Sequence, residues 1–472
     1  MMLKTVNLTY QLQGGQGLPN FKPTPVLMGM DPSKNQAPGF LFTTGMHDNL
    51  IRERSVDNGW LAMAPLQTTP YTELKTEDIS YRASIEPHGS LKIELTGNRK
   101  KSSNTSEFIV FDDSTRLRSD RYNGFDFHQS KNETGSFNIS TFARFNSFKD
   151  GKDPVDSKLF NEFLLDRRNV ATELGNANNN NLPDPITFTN IKGVKESYID
   201  GYQDNQQDVL IGAFYRTYTG GKIKNYSTRN IFPTIPIPNW TITWDGLGKV
   251  PLFKKTFRSI TVRHGYKSAY NINGYTNNIL FVGEDQIARM PVTVSTGTTA
   301  ITSNFVPYYN INAVTITEAF APLIKFDFQF MKQGWSANVE TKRDKSTTLN
   351  ITGPQIIETK GQEYILGLGY MYPKLRFKAL KIQGKVLESN LTVKVDVSYR
   401  RNISVIRRVT DGISIPTGGT DIITLRSSAD YQLTPNINLR LFYDWIKTKP
   451  QTSASFPTSN ATGGFSLRIN FQ

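Results

Sequence analysis

Apolar and polar residues alternate along much of the chain, with the period of two that a β-strand gives to its two faces. In the longest run, the odd positions from Leu391 to Val405 are mostly apolar and the even positions are mostly polar. This run predicts one long strand without a turn at Arg401-Asn402. On the order of fourteen segments share the pattern, and several approach the ~9–11 residues of a tilted membrane strand.

Two architectures give every strand an apolar and a polar face. In a soluble sandwich the apolar face packs on a second sheet, whereas in a membrane barrel it meets lipid and the polar face lines a lumen. The long segments favour the barrel, since soluble strands average about 5–6 residues. The predicted fold class is all-β: an antiparallel transmembrane β-barrel with long loops and a small helical insertion. The polar residues predicted to face the lumen are Lys394, Asp396, Arg400, Arg440, Asp444 and Arg468.

Aromatic residues and uneven connections also favour a barrel, because barrels carry aromatic girdles at both membrane interfaces. The predicted interfacial aromatics are Trp240, Trp244, Tyr399, Tyr431, Tyr443 and Trp445. The two tryptophans at 240 and 244 could equally form a core pair in a sandwich. The turn at 434–436 is short, whereas 447–464 is predicted to be a long polar loop. Short turns at one end and long loops at the other are typical of an outer-membrane barrel.

The region 150–235 departs from the strand pattern. Asp153 and Gly175 suit the two ends of a first helix, and a second helix is predicted at 205–219, ending at Gly220. Both helices are too short and too charged to face lipid. The predicted organisation is therefore 1–149 for strands and long loops, 150–235 for a helical and loop insertion, and 236–472 for further strands. The insertion is interpreted as an ordered extramembrane unit, with a plug or gate in the lumen as the alternative.

The sequence offers little chemistry for catalysis. There is no cysteine, the four histidines are scattered, and no nucleophile, phosphate-binding or dinucleotide motif is present. We therefore expect neither an enzyme nor a metal or cofactor site. The net charge of +14 favours acidic partners, but the basic residues are spread out without a recognised module, so nucleic acid is not expected. A different alternative is a secreted soluble glycan-binding protein, with Trp240, Trp244 and Trp335 as sugar platforms.

No apolar run reaches the ~18 residues of a membrane helix. Residues 1–13 lack the apolar core of a signal peptide, and they alternate as a strand does. From this pattern we expect the chain to be the C-terminal piece of a longer protein.

Several long stretches resemble the SprA family of gliding-motility proteins, the outer-membrane translocons of type IX secretion. The stretches that carry the resemblance, in family order, are 17–40, 57–61, 198–220, 235–275, 311–328, 363–370 and 439–460. They include the sequences GLPNFKPTPVLMGMDPSKNQAPGF, YIDGYQDNQQDVLIGAFYRTYTG and IPIPNWTITWDGLGKVPLFKKTF. The resemblance spans nearly the whole chain, although family members are several times longer.

The resemblance implies a C-terminal segment of a very large barrel in the outer membrane, with loops on the cell surface. It also implies a pore that passes folded cargo, including gliding adhesins. The implied partners are secreted protein cargo, an outer-membrane shuttle barrel, a periplasmic plug protein, the barrel assembly machinery and outer-membrane lipid. A self-contained outer-membrane porin or transporter is the alternative within membranes.

The last strand is predicted to be an assembly signal. Assembly machineries for outer-membrane barrels resemble one another in recognising a final strand with an aromatic residue at its end. Here the residues of that signal are Phe465, Leu467, Ile469 and Phe471, and Gln472 displaces the aromatic by one place from the usual terminal position.

Overall fold

The computed structural model describes residues 2–26, 28–65, 68–112, 124–144, 147–148, 155–178, 186–189, 195–199, 201–281, 289–295, 299–331, 334–382, 385–434, 436–451 and 455–470. One 14-stranded antiparallel sheet dominates this part of the chain. The predicted all-β, antiparallel, barrel-like fold with a small helical insertion is confirmed.

The strands before the middle of the chain are β1 (Leu3–Gly17), β2 (Tyr71–His88), β3 (Leu91–Phe111), β4 (Phe125–Ser140), β5 (Ile186–Thr189), β6 (Lys195–Tyr198), β7 (Asn239–Trp244), β8 (Phe257–Asn277) and β9 (Arg289–Ser295). The later strands are β10 (Thr299–Phe305), β11 (Tyr309–Ile311), β12 (Ala313–Phe330), β13 (Trp335–Asn350), β14 (Gln355–Ile382), β15 (Lys385–Arg408), β16 (Ser414–Thr434), β17 (Ile437–Pro450) and β18 (Thr458–Ile469). The α-helices are α1 (Phe40–Thr43), α2 (Ile51–Asp57), α3 (Lys158–Asn178), α4 (Gln207–Thr219) and α5 (Pro251–Lys254), and 3-10 turns occupy Pro32–Lys34 and Leu247–Lys249.

The main sheet follows the order of the chain: β1-β2-β3-β4-β8-β12-β13-β14-β15-β16-β17-β18. Strand β4 pairs with only one half of β3. The short strand β7 lies beside the other half and pairs with both β3 and β8. Strand β11 adds to the end of β8, and β5-β6 and β9-β10 form separate two-stranded sheets. Near-sequential order is expected of hairpin-connected antiparallel strands.

The connections differ at the two ends of the strands. At one end, called here the short-turn end, the strands are joined by 89–90, 331–334, 383–384 and 435–436, and by the longer connection 245–256. At the other end, called the long-loop end, the connections include 18–70, 112–124 and 278–312 besides the shorter segments 351–354, 409–413 and 451–457. Connections of 13 residues or more (18–70, 112–124 and 278–312) thus occur at the long-loop end, whereas the short-turn end has connections of two to four residues apart from 245–256.

The register fixes which residues share a face of the sheet. Directly opposed residues of antiparallel strands lie on the same face. One such row contains Phe326, Val339, Leu366, Val397 and Leu425, and the face that it belongs to is called the apolar face. The adjacent row lies on the opposite side, called the polar face, and contains Asp327, Asn338, Gly367, Asp396 and Arg426.

The helical insertion packs on the apolar face at the long-loop end. Helices α3 and α4 bury Phe163, Val170 and Phe214 in one cluster with side chains of β4, β8, β12, β13 and β14, among them Ile316 and Leu349. Ile316 lies opposite Tyr270 and Thr347 on the apolar face. The insertion thus lies on the side opposite to the face predicted to line the lumen, which favours the extramembrane interpretation over a plug.

The connection 18–70 covers a neighbouring part of the same face. Its helix α2 contributes Ile51, and the following chain contributes Trp60, to a second buried cluster with Tyr71 and Phe125. Short helices of this kind did not show in the sequence pattern, since one or two turns give too few residues to establish a helical period.

Two predicted boundaries need correction. The stretch 447–464 is not a long polar loop, because β17 continues to Pro450 and β18 begins at Thr458, with Lys447 opposite Ser459. Its residues are polar on both faces, so the period of two is invisible there. Helix α3 runs from Lys158 to Asn178, past the predicted end at Gly175, while Asp153 lies outside the described residues.

Two other predictions are confirmed. Strand β15 passes through 401–402 without a turn, as the continuous parity indicates. Helix α4 ends where Gly220 adopts the left-handed conformation (φ 72°) and its N–H donates to the carbonyl oxygen of Arg216, 2.8 Å away.

Candidate membrane-facing belt and polar wall

The apolar face is bare toward the short-turn end. Tyr364, Leu366 and Leu368 of β14 are about half exposed (50%, 49% and 50%), whereas Ile356 of the same face and strand is fully buried under the insertion. The exposed apolar residues of this face form the belt: Leu3, Val6, Leu8, Tyr10, Leu12, Trp244, Ile324, Trp335, Val339, Tyr364, Leu366, Leu368, Tyr372, Val397, Tyr399, Ile423, Leu441, Tyr443, Phe465, Leu467 and Ile469. Soluble proteins expose large apolar side chains mostly singly, whereas many on one face mark an interaction or membrane surface.

The belt is slanted with respect to the hydrogen-bonded rows. The row that starts at Tyr10 in β1 reaches Glu358 in β14, whereas the row that starts at Leu467 in β18 reaches Tyr372. Belt residues at the two edges are thus offset by about 14 residues along β14 over about eleven strand-to-strand steps. With a rise of ~3.4 Å and a strand spacing of ~4.8 Å, a level belt requires strands tilted by about 40°. Membrane barrels have tilts of about 35–45°.

The height of the belt can be estimated in the same way. On β14 it extends from Tyr364 to Tyr372, which is about 27 Å along the strand at ~3.4 Å per residue. A tilt of about 40° reduces this to about 21 Å along the membrane normal. The apolar band of a membrane barrel is about 25 Å tall, so the two lengths agree.

All of the predicted interfacial aromatics lie on the apolar face, but their surroundings differ. Tyr399 lies at the long-loop border of the belt, where its hydroxyl donates to Asp421 (3.0 Å). Trp240 stacks on Tyr266, with ring centroids 4.5 Å apart, as a core pair would. Tyr431 is buried, and its hydroxyl donates to the carbonyl oxygen of Leu375 (3.0 Å). The other three, Trp244, Tyr443 and Trp445, lie on the belt side of β7 and β17, and the interfacial role remains a prediction.

The six residues predicted to face the lumen lie together on the polar face. They are Lys394, Asp396 and Arg400 on β15, Arg440 and Asp444 on β17, and Arg468 on β18. Their shared face follows from the register, while the lumen that they would line stays a prediction.

One group of charges on the polar face forms a network of ion pairs. The network runs from β12 to β15 through these contacts: Lys325 to Glu340 (3.6 Å), Lys342 to Glu340 (3.5 Å), Lys342 to Glu363 (3.8 Å), Arg400 to Glu363 (3.7 Å) and Arg400 to Asp344 (2.8 Å). Gly361 makes room for it, since a Cβ there would lie 2.5 Å from the Arg400 guanidinium. This arrangement intersperses both signs of charge on the polar face.

The C-terminal strand lies at an edge of the sheet. Phe465, Leu467 and Ile469 of β18 are exposed on the apolar face and lie opposite Leu441, Leu439 and Ile437 of β17. Phe471, the aromatic of the predicted assembly signal, lies outside the described residues. Within the described chain, β18 pairs with β17 and β1 pairs with β2, and the two edges do not pair with each other.

A buried ionic cluster, which the sequence reasoning missed, attaches the insertion to the sheet. We call it the latch: Glu358, with Lys345 (3.3 Å), Lys360 (2.8 Å) and Arg407 (3.3 Å) around its carboxylate. Lys345 donates to the carbonyl oxygen of Ser147 (3.0 Å) and Arg407 to that of Val155 (3.4 Å), so the chain entering α3 is held from both sides.

The latch lies on the apolar face, beyond the belt. Glu358 and Lys360 share the parity of Tyr364 and Leu366, a few residues farther toward the long-loop end. Charged residues at apolar parity are the sequence signal that could have located the point where this face leaves the membrane.

Within the described residues no cluster of histidine or acidic side chains could hold a metal ion. None of the described helices combines the length and the hydropathy that a membrane span requires. Asp208, at the start of α4, is fully buried in the insertion, and burial raises the pKa of its carboxyl above the ordinary value.

An antiparallel all-β architecture with one bare apolar belt and one charged face is the barrel-like class of fold. No protein-family model matches the chain, and no curated protein matches it. Solved structures with limited similarity include the ferric-catecholate import receptor Fiu of Escherichia coli K12, at 9% identity and a TM-score of 0.26. The match covers 95% of this chain, which spans 56% of the receptor's length.

Two porins are also similar in part. The anion-selective porin of Comamonas acidovorans has 10% identity and a TM-score of 0.17, over 85% of this chain and 91% of the porin. OmpF of Salmonella typhi, solved with daunomycin, has 9% identity and a TM-score of 0.13, over 98% and 97% of the two chains. Similarity at this level carries no argument about function, which must come from the belt and the polar face themselves.

Proposed function

We propose that this protein forms part of the wall of an outer-membrane β-barrel. The observation that carries the proposal is the bare belt, whose slant requires a strand tilt of about 40° and whose height is about 21 Å. A soluble glycan-binding sandwich would cover this face with a second sheet, whereas the belt residues of the described strands are exposed. Outside the belt, the insertion and the connection 18–70 cover the same face, as expected where it leaves lipid for water.

Within that class, we propose that the wall belongs to a protein-conducting pore of type IX secretion. The support is the sequence resemblance to the SprA family together with the paired charges of the polar face, which suit a wide hydrated passage. Transport of folded proteins needs no catalytic group in the wall. The proposed partners are secreted cargo including gliding adhesins, a shuttle barrel, a periplasmic plug protein and the barrel assembly machinery.

Site-specific photocrosslinking in secreting cells tests both proposals with adjacent residues. A photoreactive residue at Ser398 lies on the polar face, and one at Val397 lies in the belt. We expect position 398 to form adducts with secreted proteins and position 397 to form adducts with lipid. Solute conductance without any protein adduct at 398 would instead support a self-contained porin or transporter. Recovery of the protein in the buffer fraction without detergent would contradict the membrane location.

A further inference from the structure

The connection between β7 and β8, residues 245–256, is firmly attached to the short-turn end of the sheet. The N–H of Asp245 donates to the carbonyl oxygen of Ser90 (2.9 Å), and the Lys249 ammonium donates to the Ser90 hydroxyl (2.8 Å). At the other end, the N–H of Met331 donates to the carbonyl oxygen of Thr256 (2.9 Å). The connection therefore has a defined place beside the turns 89–90 and 331–334.

Two apolar side chains of the connection are exposed although hydrogen bonds hold its ends in place. Leu252 is 78% exposed and Val250 is also exposed, as is Trp244 at the end of β7. Phe253 contacts Phe257, whose ring packs in turn on aromatic residues of β12 at the short-turn border of the belt. The connection thus extends the belt outward by one apolar and aromatic patch, at the level where lipid headgroups would begin.

The same patch is basic. Lys254, Lys255 and Arg258 are exposed, and within the described residues none of them has a carboxylate within ion-pair distance. Lys249 has Asp245 at 3.9 Å, and Asp245 is the one acidic residue in the segment 245–258. The segment therefore combines four cations and one carboxylate with exposed apolar side chains, which matches a surface of anionic groups above hydrocarbon.

We propose that residues 244–258 form a binding site for anionic phospholipid headgroups at the short-turn side of the membrane. Leu252, Val250 and Trp244 enter the apolar boundary, while Lys254 and Lys255 contact phosphate groups. The charge complementarity favours anionic lipid over zwitterionic lipid. Each Lys or Arg near an anionic surface contributes about 1 kcal/mol, or about fivefold in affinity. This inference rests on the proposed membrane location.

The test uses the protein in nanodiscs that contain brominated phosphatidylglycerol or brominated phosphatidylcholine. The parent is a variant in which Trp335 and Trp445, which also lie on the apolar face, are replaced by phenylalanine, and quenching of the remaining tryptophan fluorescence is the readout. We expect stronger quenching by the anionic lipid for the parent protein. The double variant Lys254→Gln/Lys255→Gln should lower that preference by about fivefold for each charge removed. Leu252→Ser should weaken quenching by both lipids, because it removes the apolar contact.

The matched control is Lys22→Gln/Lys224→Gln, which removes two exposed lysines from the connection 18–70 and from the insertion. It should leave the preference unchanged. Equal quenching by the two lipids in the parent, or equal loss in both double variants, would overturn the headgroup site. Failure of the parent to enter nanodiscs at all would contradict the membrane location itself, and this result is separable from the other two.

Discussion

The belt predicts that a charge introduced on one face of β14 destabilises the protein, whereas the same charge on the other face does not. Leu368 lies at the centre of the belt on β14 and is 50% exposed, whereas Met371 on the polar face is 43% exposed. If the belt faces lipid, Leu368→Arg places a guanidinium near the bilayer midplane, which costs about 2–4 kcal/mol. At about 1.4 kcal/mol per tenfold, the folding equilibrium constant falls by about 30- to 700-fold. Met371→Arg stays in water on the polar face and should change stability by less than about 1 kcal/mol.

The assay is equilibrium unfolding by guanidinium in lipid vesicles, followed by tryptophan fluorescence, for the two variants and the parent. The matched pair removes the effects of strand, residue size and exposure, so the difference between variants reports the environment of each face. Equal destabilisation by both substitutions, or a larger loss for Met371→Arg, would refute the assignment of the faces.

Three further predictions test local features. Gly334→Ala should destabilise the protein by at least about 1–3 kcal/mol, because φ is +92° and a Cβ would lie 2.2 Å from the carbonyl oxygen of Met371. The control Gly353→Ala should be close to neutral, since a Cβ there meets open space. Unfolding midpoints of the two variants and the parent provide the comparison. Glu358→Gln should lower the free energy that holds the insertion on the sheet by about 3–5 kcal/mol, because it leaves the buried cations uncompensated. Faster hydrogen exchange in α3 is the expected result. Asp208→Asn should slow hydrogen exchange in α4 at neutral pH. In the parent, the raised pKa of Asp208 means that the folded state loses stability as the pH rises above 3.8, the pKa of the carboxyl in the unfolded chain. The variant escapes this loss, so its slower exchange relative to the parent should disappear near pH 4.

The outcomes that would contradict these predictions are distinct. Similar midpoints for the two glycine variants would mean that the turn 331–334 relaxes freely. Unchanged exchange in α3 after Glu358→Gln would show that apolar packing alone holds the insertion. A pH-independent effect of Asp208→Asn, after correction for intrinsic exchange rates, would show that the carboxyl is not stabilised in its neutral form.

The position of the insertion bears on whether a passage along the polar face would require the insertion to move. Because α3 and α4 lie on the apolar face, the polar face at the same level remains free of them. The latch holds this unit through the backbone carbonyl groups of Ser147 and Val155, so its attachment depends on a few charges and not only on apolar area. A passage along the polar face would therefore need no movement of the insertion.

Much of the strand architecture could be predicted from the sequence, because the period of two is a local property. Consecutive side chains point to opposite faces, so the separation of Val397 from Asp396 and of Leu441 from Arg440 follows from neighbouring positions alone. Helix α4 was also visible, since a glycine stop and an apolar stripe lie within fifteen residues. Where both faces are polar, as in 458–464, the local signal vanishes and the strand was missed.

Only the tertiary structure decided what each face meets. Residues of identical parity, such as Ile356 and Leu366, have opposite environments. The helices of the insertion, about 140 to 200 residues earlier in the chain, cover Ile356 and leave Leu366 bare. The slant of the belt and the charges around Glu358 likewise depend on pairings between distant segments, which no local pattern records. The sequence by itself determined two-faced strands, and the register and the packing of the insertion determined where the apolar face becomes a belt.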